Sequence, residues 1–223
     1  MGETIKVAPS ILAANTLRLG EELSKIEKEI DLLHVDIMDG HFVPNLSFGP
    51  KLVKDIKESF PLLPLEIHLM VENPGFWVDR FAESGGDILI FHWEVEKHPL
   101  RLIRSIKEAG KKSGVAFNPA TLWEEAKLIL HEVDYVLMMS VEPGFSGQTF
   151  IPWVLDKVRS IREFRDRENL CFEIVVDGGV GPSNASQLRK AGATVLVGGA
   201  SIFQNRDPVS VIRALRGDIN YES

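Results

Sequence analysis

The sequence predicts an α/β protein of the (β/α)8, or TIM-barrel, class, and three observations lead there. Eight short, near-continuously apolar runs recur along the chain. Strands of a parallel sheet read this way because both of their faces are covered. Segments of helical periodicity fill the intervals. The 223 residues allow about 27 per repeat, enough for a strand, a helix and two loops in one barrel.

The apolar runs are 5–12, 32–37, 65–70, 88–91, 114–117, 135–139, 172–176 and 195–197. After the first, Leu19, Leu23, Ile26 and Ile30 fall on one helical face, with Glu22, Lys25 and Lys28 elsewhere. Pro50, Pro74, Pro99, Pro152, Pro182 and Pro208 each stand where a helix should begin, a position that tolerates the missing N–H. Thr121-Leu122-Trp123-Glu124 fits a capping box for the helix after the fifth strand, and Asp207 is placed to cap the last. Ala109-Gly110 and Ala191-Gly192 read as helix ends followed by a C′ glycine. The rival is a doubly wound open sheet with a dinucleotide-binding turn. Its nearest candidate, Gly179-Val180-Gly181-Pro182-Ser183-Asn184, has Asn where the third glycine belongs, and no acidic residue stands at the ribose position. With no linker or low-complexity tract, residues 1–223 are expected to form a single domain.

Composition narrows the function classes. Hydrophobic residues at 44% and charged residues at 26% exclude disorder as the main state. A net charge of −7 disfavours nonspecific binding to nucleic acid or to an anionic membrane. No apolar run approaches the roughly 18 residues of a spanning helix. Met1-Gly2-Glu3-Thr4-Ile5-Lys6 lacks the apolar core of a signal peptide, so the expected location is cytoplasmic. The one cysteine, Cys171, can form neither an internal disulfide nor a CxxC metal site; Leu170 and Phe172 beside it favour an inert, mostly buried thiol.

In such a barrel the chemistry belongs at the C-terminal ends of the strands. Side chains alternate along a strand, so His34, Asp36 and Met38 share one face, as do His68 and Met70, while Asp177 ends the seventh strand. Any one of these alone reads better as a satisfied core residue. Two imidazoles and two carboxylates at the same barrel end form an N₂O₂ set suited to Zn, Mn, Fe or Co, with the choice among them open. Gly144-Phe145-Ser146-Gly147, Asp177-Gly178-Gly179 and Gly198-Gly199-Ala200-Ser201 follow strands six, seven and eight. Together they are the expected backbone cradle for a phosphate, completed by a short helix near Ser201. Other chemistries are thin. His131-Glu132-Val133-Asp134-Tyr135 lacks the second His of a zinc protease, Ser10 lacks a His–acid pair, and no lysine ends a strand. Asp39 is expected to orient its loop, His41, His92 and His98 to serve surface or hydrogen-bonding roles, and the four tryptophans to pack.

Val7-Ala8-Pro9-Ser10-Ile11-Leu12, the run from His34 through Asp36-Ile37-Met38-Asp39-Gly40 to Asn45, and His68-Leu69-Met70-Val71 resemble the ribulose-phosphate 3-epimerase family. So do Asn118-Pro119-Ala120-Thr121, the run from Met139 to Phe145, and Val176-Asp177-Gly178-Gly179, and the likeness spans 7–203. The resemblance implies a phosphate-binding barrel that holds one divalent transition metal per chain on His34, Asp36, His68 and Asp177, with no organic cofactor. It implies Asp36 and Asp177 as acid and base, and Ser10 and His68 as substrate contacts. Met38, Met70 and Met139 match a thioether layer beside the reacting carbons, whereas Met138 points the other way. Gly144, Phe145, Ser146, Gly147, Gly178, Gly179, Gly199 and Ala200 fall in the phosphate cradle. The implied reaction interconverts D-ribulose 5-phosphate and D-xylulose 5-phosphate at C3 through an enediolate, in the pentose phosphate pathway. The implied partners are a phosphorylated ketose and further copies of the chain. The same chemistry on a hexulose phosphate such as D-allulose 6-phosphate is the alternative. Two departures stand out: Ser146 replaces the usual middle glycine of its loop, and Ala200-Ser201 exchanges the order of the small residue and the hydroxyl.

Overall fold

β-Branched and aliphatic residues populate eight parallel strands, an arrangement that hides both faces of each. They are β1 (Lys6–Pro9), β2 (Leu33–Met38), β3 (Leu65–Met70), β4 (Ile88–His92), β5 (Lys112–Phe117), β6 (Tyr135–Met139), β7 (Glu173–Asp177) and β8 (Val195–Gly198). The computed structural model describes residues 4–219 and Tyr221; Met1, Gly2, Glu3 and the remaining C-terminal positions lie outside the described residues. The strands form one sheet in the order β1-β8-β7-β6-β5-β4-β3-β2. A parallel bridge between Ser10 and His34 joins its two edges and makes the barrel. The helices are α1 (Leu19–Ile26), α2 (Pro50–Ser59), α3 (Pro74–Glu83), α4 (Pro99–Glu108), α5 (Val154–Arg167), α6 (Pro182–Ala191), α7 (Ala200–Phe203) and α8 (Pro208–Arg216). Among the described residues no helix is long and apolar enough to cross a membrane.

Alternation along the strands divides the core in two. Ala8, Ile90, Ala116, Leu137, Val175 and Val197 fill the barrel. Val7, Val35, Ile67, Leu89, Val136 and Leu196 pack outward against helix residues such as Leu23, Phe81, Ile103, Phe164 and Leu188. Gly114 is required by this filling: a Cβ there would lie 2.7 Å from Ile90 Cγ1 and 3.0 Å from Tyr135 Cβ. At the N-terminal end of the barrel a repeated device fixes alternate strands. The backbone N–H groups of Val7, Leu65, Ser113 and Ile174 donate to side-chain oxygens of Asp31, Asp87, Asp134 and Thr194, at 2.8–2.9 Å. Each acceptor comes just before the next strand, so one side chain ties each odd strand to the even strand that follows.

Five of the six prolines occupy the first helical turn, and Asp207 caps α8 by accepting from the Ser210 N–H. Pro152 is the exception, lying just ahead of Trp153, the N-cap of α5. Three expectations are corrected. The segment after β5 contains a 3₁₀ turn, Trp123–Ala126, with Leu122 rather than Thr121 at its N-cap. The Thr121 side chain bonds the Glu94 carboxylate instead, which removes the capping box. Cys171 is exposed: it turns outward between Leu170 and Phe172, the residues that face the core. β4 extends one residue beyond the apolar run and buries His92 completely, in place of the expected loop position.

Candidate active site

Inward alternation carries His34, Asp36 and Met38 from β2, Glu66, His68 and Met70 from β3, and Asp177 from β7. The β2–β3 register sets His34 beside Glu66, Asp36 beside His68 and Met38 beside Met70. His34 Nε2 and His68 Nδ1 are 3.3 Å apart, and Asp36 Oδ1 lies 3.1 Å from each. Asp177 Oδ2 arrives from across the barrel to 3.6 Å from the same two nitrogens. One ligand-type atom of each of the four residues lies within 4.8 Å of the others. The sequence-derived quartet therefore converges on a single point.

The electrostatics of that point are crowded. Burial works against the His34 charge, yet Asp36, Glu66 and Asp177 raise its pKa well above the ordinary histidine value. Burial lowers that of His68. Burial also opposes the charge on Asp36, but contacts with His34 and His68 hold its carboxyl below the usual carboxylate range. Burial, with the neighbouring Asp36 and Glu66 charges, pushes Asp177 up to about 7. Among the described residues no lysine or arginine pairs with these carboxylates; their ion-pair partners are the two imidazoles. Two nitrogens and two oxygens of ligand type thus face one another, and in their deprotonated forms they make an arrangement that a divalent cation relieves. The donor set fits a borderline transition metal and could hold one.

A second tier of contacts surrounds the quartet. Ser10 Oγ donates to Asp36 Oδ2 at 2.5 Å. Glu66 Oε1 lies 2.6 Å from His34 Nδ1, and its other oxygen is buried without a hydrogen-bond partner. His92 Nε2 lies 2.9 Å from His68 Nε2, and His92 Nδ1 lies 3.1 Å from Glu94 Oε2. Burial pulls the His92 pKa down to about 4. Glu94 sits at about 2, because hydrogen bonds from His92, Thr121 and the Asn118 N–H outweigh its partial burial. Sequence reasoning missed Glu66, His92 and Glu94 as parts of the site. Alternation was the available signal, since Glu66 shares the inward face with His68, and His92 with Ile88 and Ile90.

Above the cluster opens a cavity of about 250 Å³. Ser10, Asp36, Asp177, Met38, Met70 and Met139 line its lower wall, with His34 and His68 fully buried at its base. Met138, by contrast, packs in the outer core. Gly144, Phe145, Ser146, Gly147, Gly178, Gly179, Gly199 and Ala200 form the upper wall. Asn45 holds this rim by donating to the Gly144 carbonyl. Gly179 has φ +62, and a Cβ there would meet the Phe150 nitrogen at 2.5 Å, so the turn admits no side chain. The Ser201 hydroxyl donates to the Val180 carbonyl at 2.8 Å and is already engaged, while Ser146 is exposed. Asp39 accepts from the His41, Phe42 and Glu72 N–H groups and orders its loop. His41, His98 and His131 are exposed and stand apart from the cluster.

Residues 6–203 match the model of the ribulose-phosphate 3 epimerase family. Over 212 residues the chain is 42% identical to the ribulose-phosphate 3-epimerase of Helicobacter pylori, covering 95% of this chain and 97% of the relative. The Bacillus subtilis enzyme of that name is 42% identical over 217 residues, covering 96% and 99% of the two chains. Solved structures at lower identity show the same fold. A 3-hexulose-6-phosphate synthase superposes with a TM-score of 0.72 at 17% identity, covering 96% of this chain and all of that one. KGPDC from Streptococcus mutans superposes with a TM-score of 0.75 at 14% identity and 96% coverage of both chains. On the family match and the identities over nearly the whole chain, this protein is an isomerase of the ribulose-phosphate 3-epimerase family.

Proposed function

We propose that the chain interconverts D-ribulose 5-phosphate and D-xylulose 5-phosphate by inverting C3. The observation that carries this reading is a pair of carboxylates, Asp36 from β2 and Asp177 from β7, meeting the same two imidazole nitrogens with proton affinities pushed apart. Inversion next to a ketone needs a base on one face of a planar enediolate and an acid on the other. A carboxylate held ionised beside a carboxyl raised to about 7 is such a pair. Asp36 removes the C3 proton from one epimer and Asp177 delivers a proton to the opposite face; the reverse reaction exchanges their roles.

His34, Asp36, His68 and Asp177 would hold one divalent metal ion, whose chemistry is Lewis-acid stabilisation of negative charge on the sugar oxygens. Ser10 fixes Asp36 through its hydrogen bond to Oδ2. Met38, Met70 and Met139, each nearly buried, supply an apolar, polarisable wall that keeps water from the carbanionic carbon. The glycine rim offers backbone N–H groups to the phosphate, and the first turn of α7, opening at Ala200, adds amides without intrahelical partners. An anionic substrate is thereby compatible with an acidic protein. Assay by NMR with ribulose 5-phosphate, before and after exhaustive chelation, tests the reading. The expected outcome is xylulose 5-phosphate formation that chelation removes and a transition metal restores. Turnover of D-allulose 6-phosphate in preference to the pentulose overturns the substrate assignment, and full activity without metal overturns the metal assignment.

A further inference from the structure

Two imidazole nitrogens that meet edge to edge can share only one proton. Two N–H groups would collide, and two lone pairs would repel. His68 Nε2 and His92 Nε2 are in this position, 2.9 Å apart, with the ring planes 25° from parallel and the ring centroids 5.0 Å apart. Which of them carries the proton is decided on the far side of His92. There Nδ1 lies 3.1 Å from Glu94 Oε2, and an ionised carboxylate can only accept. His92 Nδ1 therefore carries a hydrogen. His92 is fully buried, with the Phe42 ring packed against it at 4.6 Å, surroundings that favour the neutral ring. A neutral His92 with Nδ1–H has a bare Nε2, so the shared proton belongs to His68 Nε2. His68 Nδ1 is left as a lone pair, and it is the atom aimed at Asp36, His34 and Asp177.

We propose that His92 and Glu94 are positioning residues that hold His68 in its metal-binding tautomer, with the proton on Nε2 and the lone pair on Nδ1. The inference rests on the reading of the quartet as a metal site. Glu94 is anchored for the role from outside the barrel, since its other oxygen accepts from the Asn118 N–H at 2.7 Å. His34 needs no intermediary, because Glu66 contacts its Nδ1 directly. Both imidazoles are thus backed by a carboxylate, one at first hand and one through a second histidine. Such outer contacts fix ring orientation and raise ligand basicity.

The test is the zinc affinity of the full chain, measured by competition with a chelating dye, for the wild type, His92→Gln, His92→Phe and Glu94→Leu. Loss of an outer partner weakens metal binding by about 10–100-fold. His92→Phe should show that loss, because phenylalanine leaves His68 Nε2–H without an acceptor. His92→Gln should retain more affinity, since its amide oxygen can accept that hydrogen bond. A role in packing alone predicts the opposite order, with the apolar ring tolerated better than the amide. Equal affinities for wild type and His92→Phe, or a weaker His92→Gln than His92→Phe, overturn the proposal. Should His92→Phe fail to fold, Glu94→Leu decides, because it leaves His92 Nδ1–H without an acceptor: weaker zinc binding supports the relay, and an unchanged constant overturns it. Nitrogen-15 NMR of the zinc-loaded wild type gives a direct reading. A His92 ring protonated at Nδ1 and bare at Nε2 is expected, and the reverse tautomer overturns the assignment. A wild-type chain with no measurable zinc affinity overturns it as well. Zinc binding with this order of variants, but without turnover of ribulose 5-phosphate, would overturn the epimerase reading alone.

Discussion

At the N-terminal end of the barrel, charged groups meet opposite charges. Lys6 lies 2.6 Å from Glu173, Lys57 lies 2.8 Å from Asp87, and Arg216 lies 2.9 Å from Asp31. The same aspartates, with Asp134, also accept from strand N–H groups. At the C-terminal end, imidazole nitrogens and carboxylate oxygens crowd one another 3.1–3.6 Å apart. One sheet carries both ends, so the difference is not one of fold. The lower end satisfies its polar groups internally and its partners serve stability. The upper end gathers donor atoms that could hold a cation, and its groups have proton affinities pushed apart.

That contrast predicts how each end responds to substitution. The largest effect belongs to the upper carboxylates. Asp36→Asn and Asp177→Asn should each abolish net epimerisation, a loss of roughly 10²–10⁴-fold or more for removal of a general base or acid. In heavy water each variant should still exchange the C3 hydrogen of one epimer, and not the same one. Metal content is measured alongside, since Asn is a poorer ligand; a metal-loaded variant that interconverts the epimers at the wild-type rate would break the two-base division.

Glu66→Gln should act on both metal affinity and folding. Weakened support of His34 is worth about 10–100-fold in metal binding. A new amide donor at the partnerless position of the outer oxygen costs about 1–3 kcal/mol in urea unfolding. Metal affinity equal to that of the wild type would place Glu66 with the structural groups of the lower end.

At the lower end, Asp134→Ala leaves the buried Ser113 N–H without its acceptor and should destabilise the fold by about 1–3 kcal/mol. Activity of the folded fraction should not change. A substantial fall in kcat would mean that the two ends are mechanically coupled.

The smallest effect concerns Lys157 in α5. Its ammonium donates to the Asn118 and Pro119 carbonyls, not to a carboxylate, and partial burial lowers its pKa to about 8. Below that value both folded and unfolded chains are protonated. Between about pH 8 and the unfolded value of roughly 10.4, the unfolded chain binds more protons, so stability rises with pH. The urea midpoint of the wild type relative to Lys157→Met should therefore increase from pH 7.5 to pH 9.5. A constant difference would show that the lysine is as well solvated as an exposed one.

Much of the active site could be read along single strands. His34, Asp36 and Met38 turn the same way because they are two residues apart, and no tertiary information is needed to see it. Glu66 was equally legible, two residues before His68, but a glutamate at the second position of a strand suggests an edge or a surface until its neighbour is known. His92 was lost by one residue: the apolar run ends at Phe91, and the strand ends at His92. Local capping logic failed at Thr121 because a distant carboxylate, Glu94, competes for its hydroxyl.

What the amino-acid sequence determined by itself is periodicity. Eight apolar runs, the helical faces between them and the inward or outward sense of each strand residue follow from the repeat of the extended and helical chain, a property of a few neighbouring residues. Only the tertiary structure decided which inward residues meet. The stagger of β2 against β3 sets Asp36 opposite His68, closure of the sheet brings Asp177 to the same nitrogens, and the β3–β4 stagger delivers His92 to His68. Register and closure arise from the twist and stagger of all eight strands together, so no single strand encodes them.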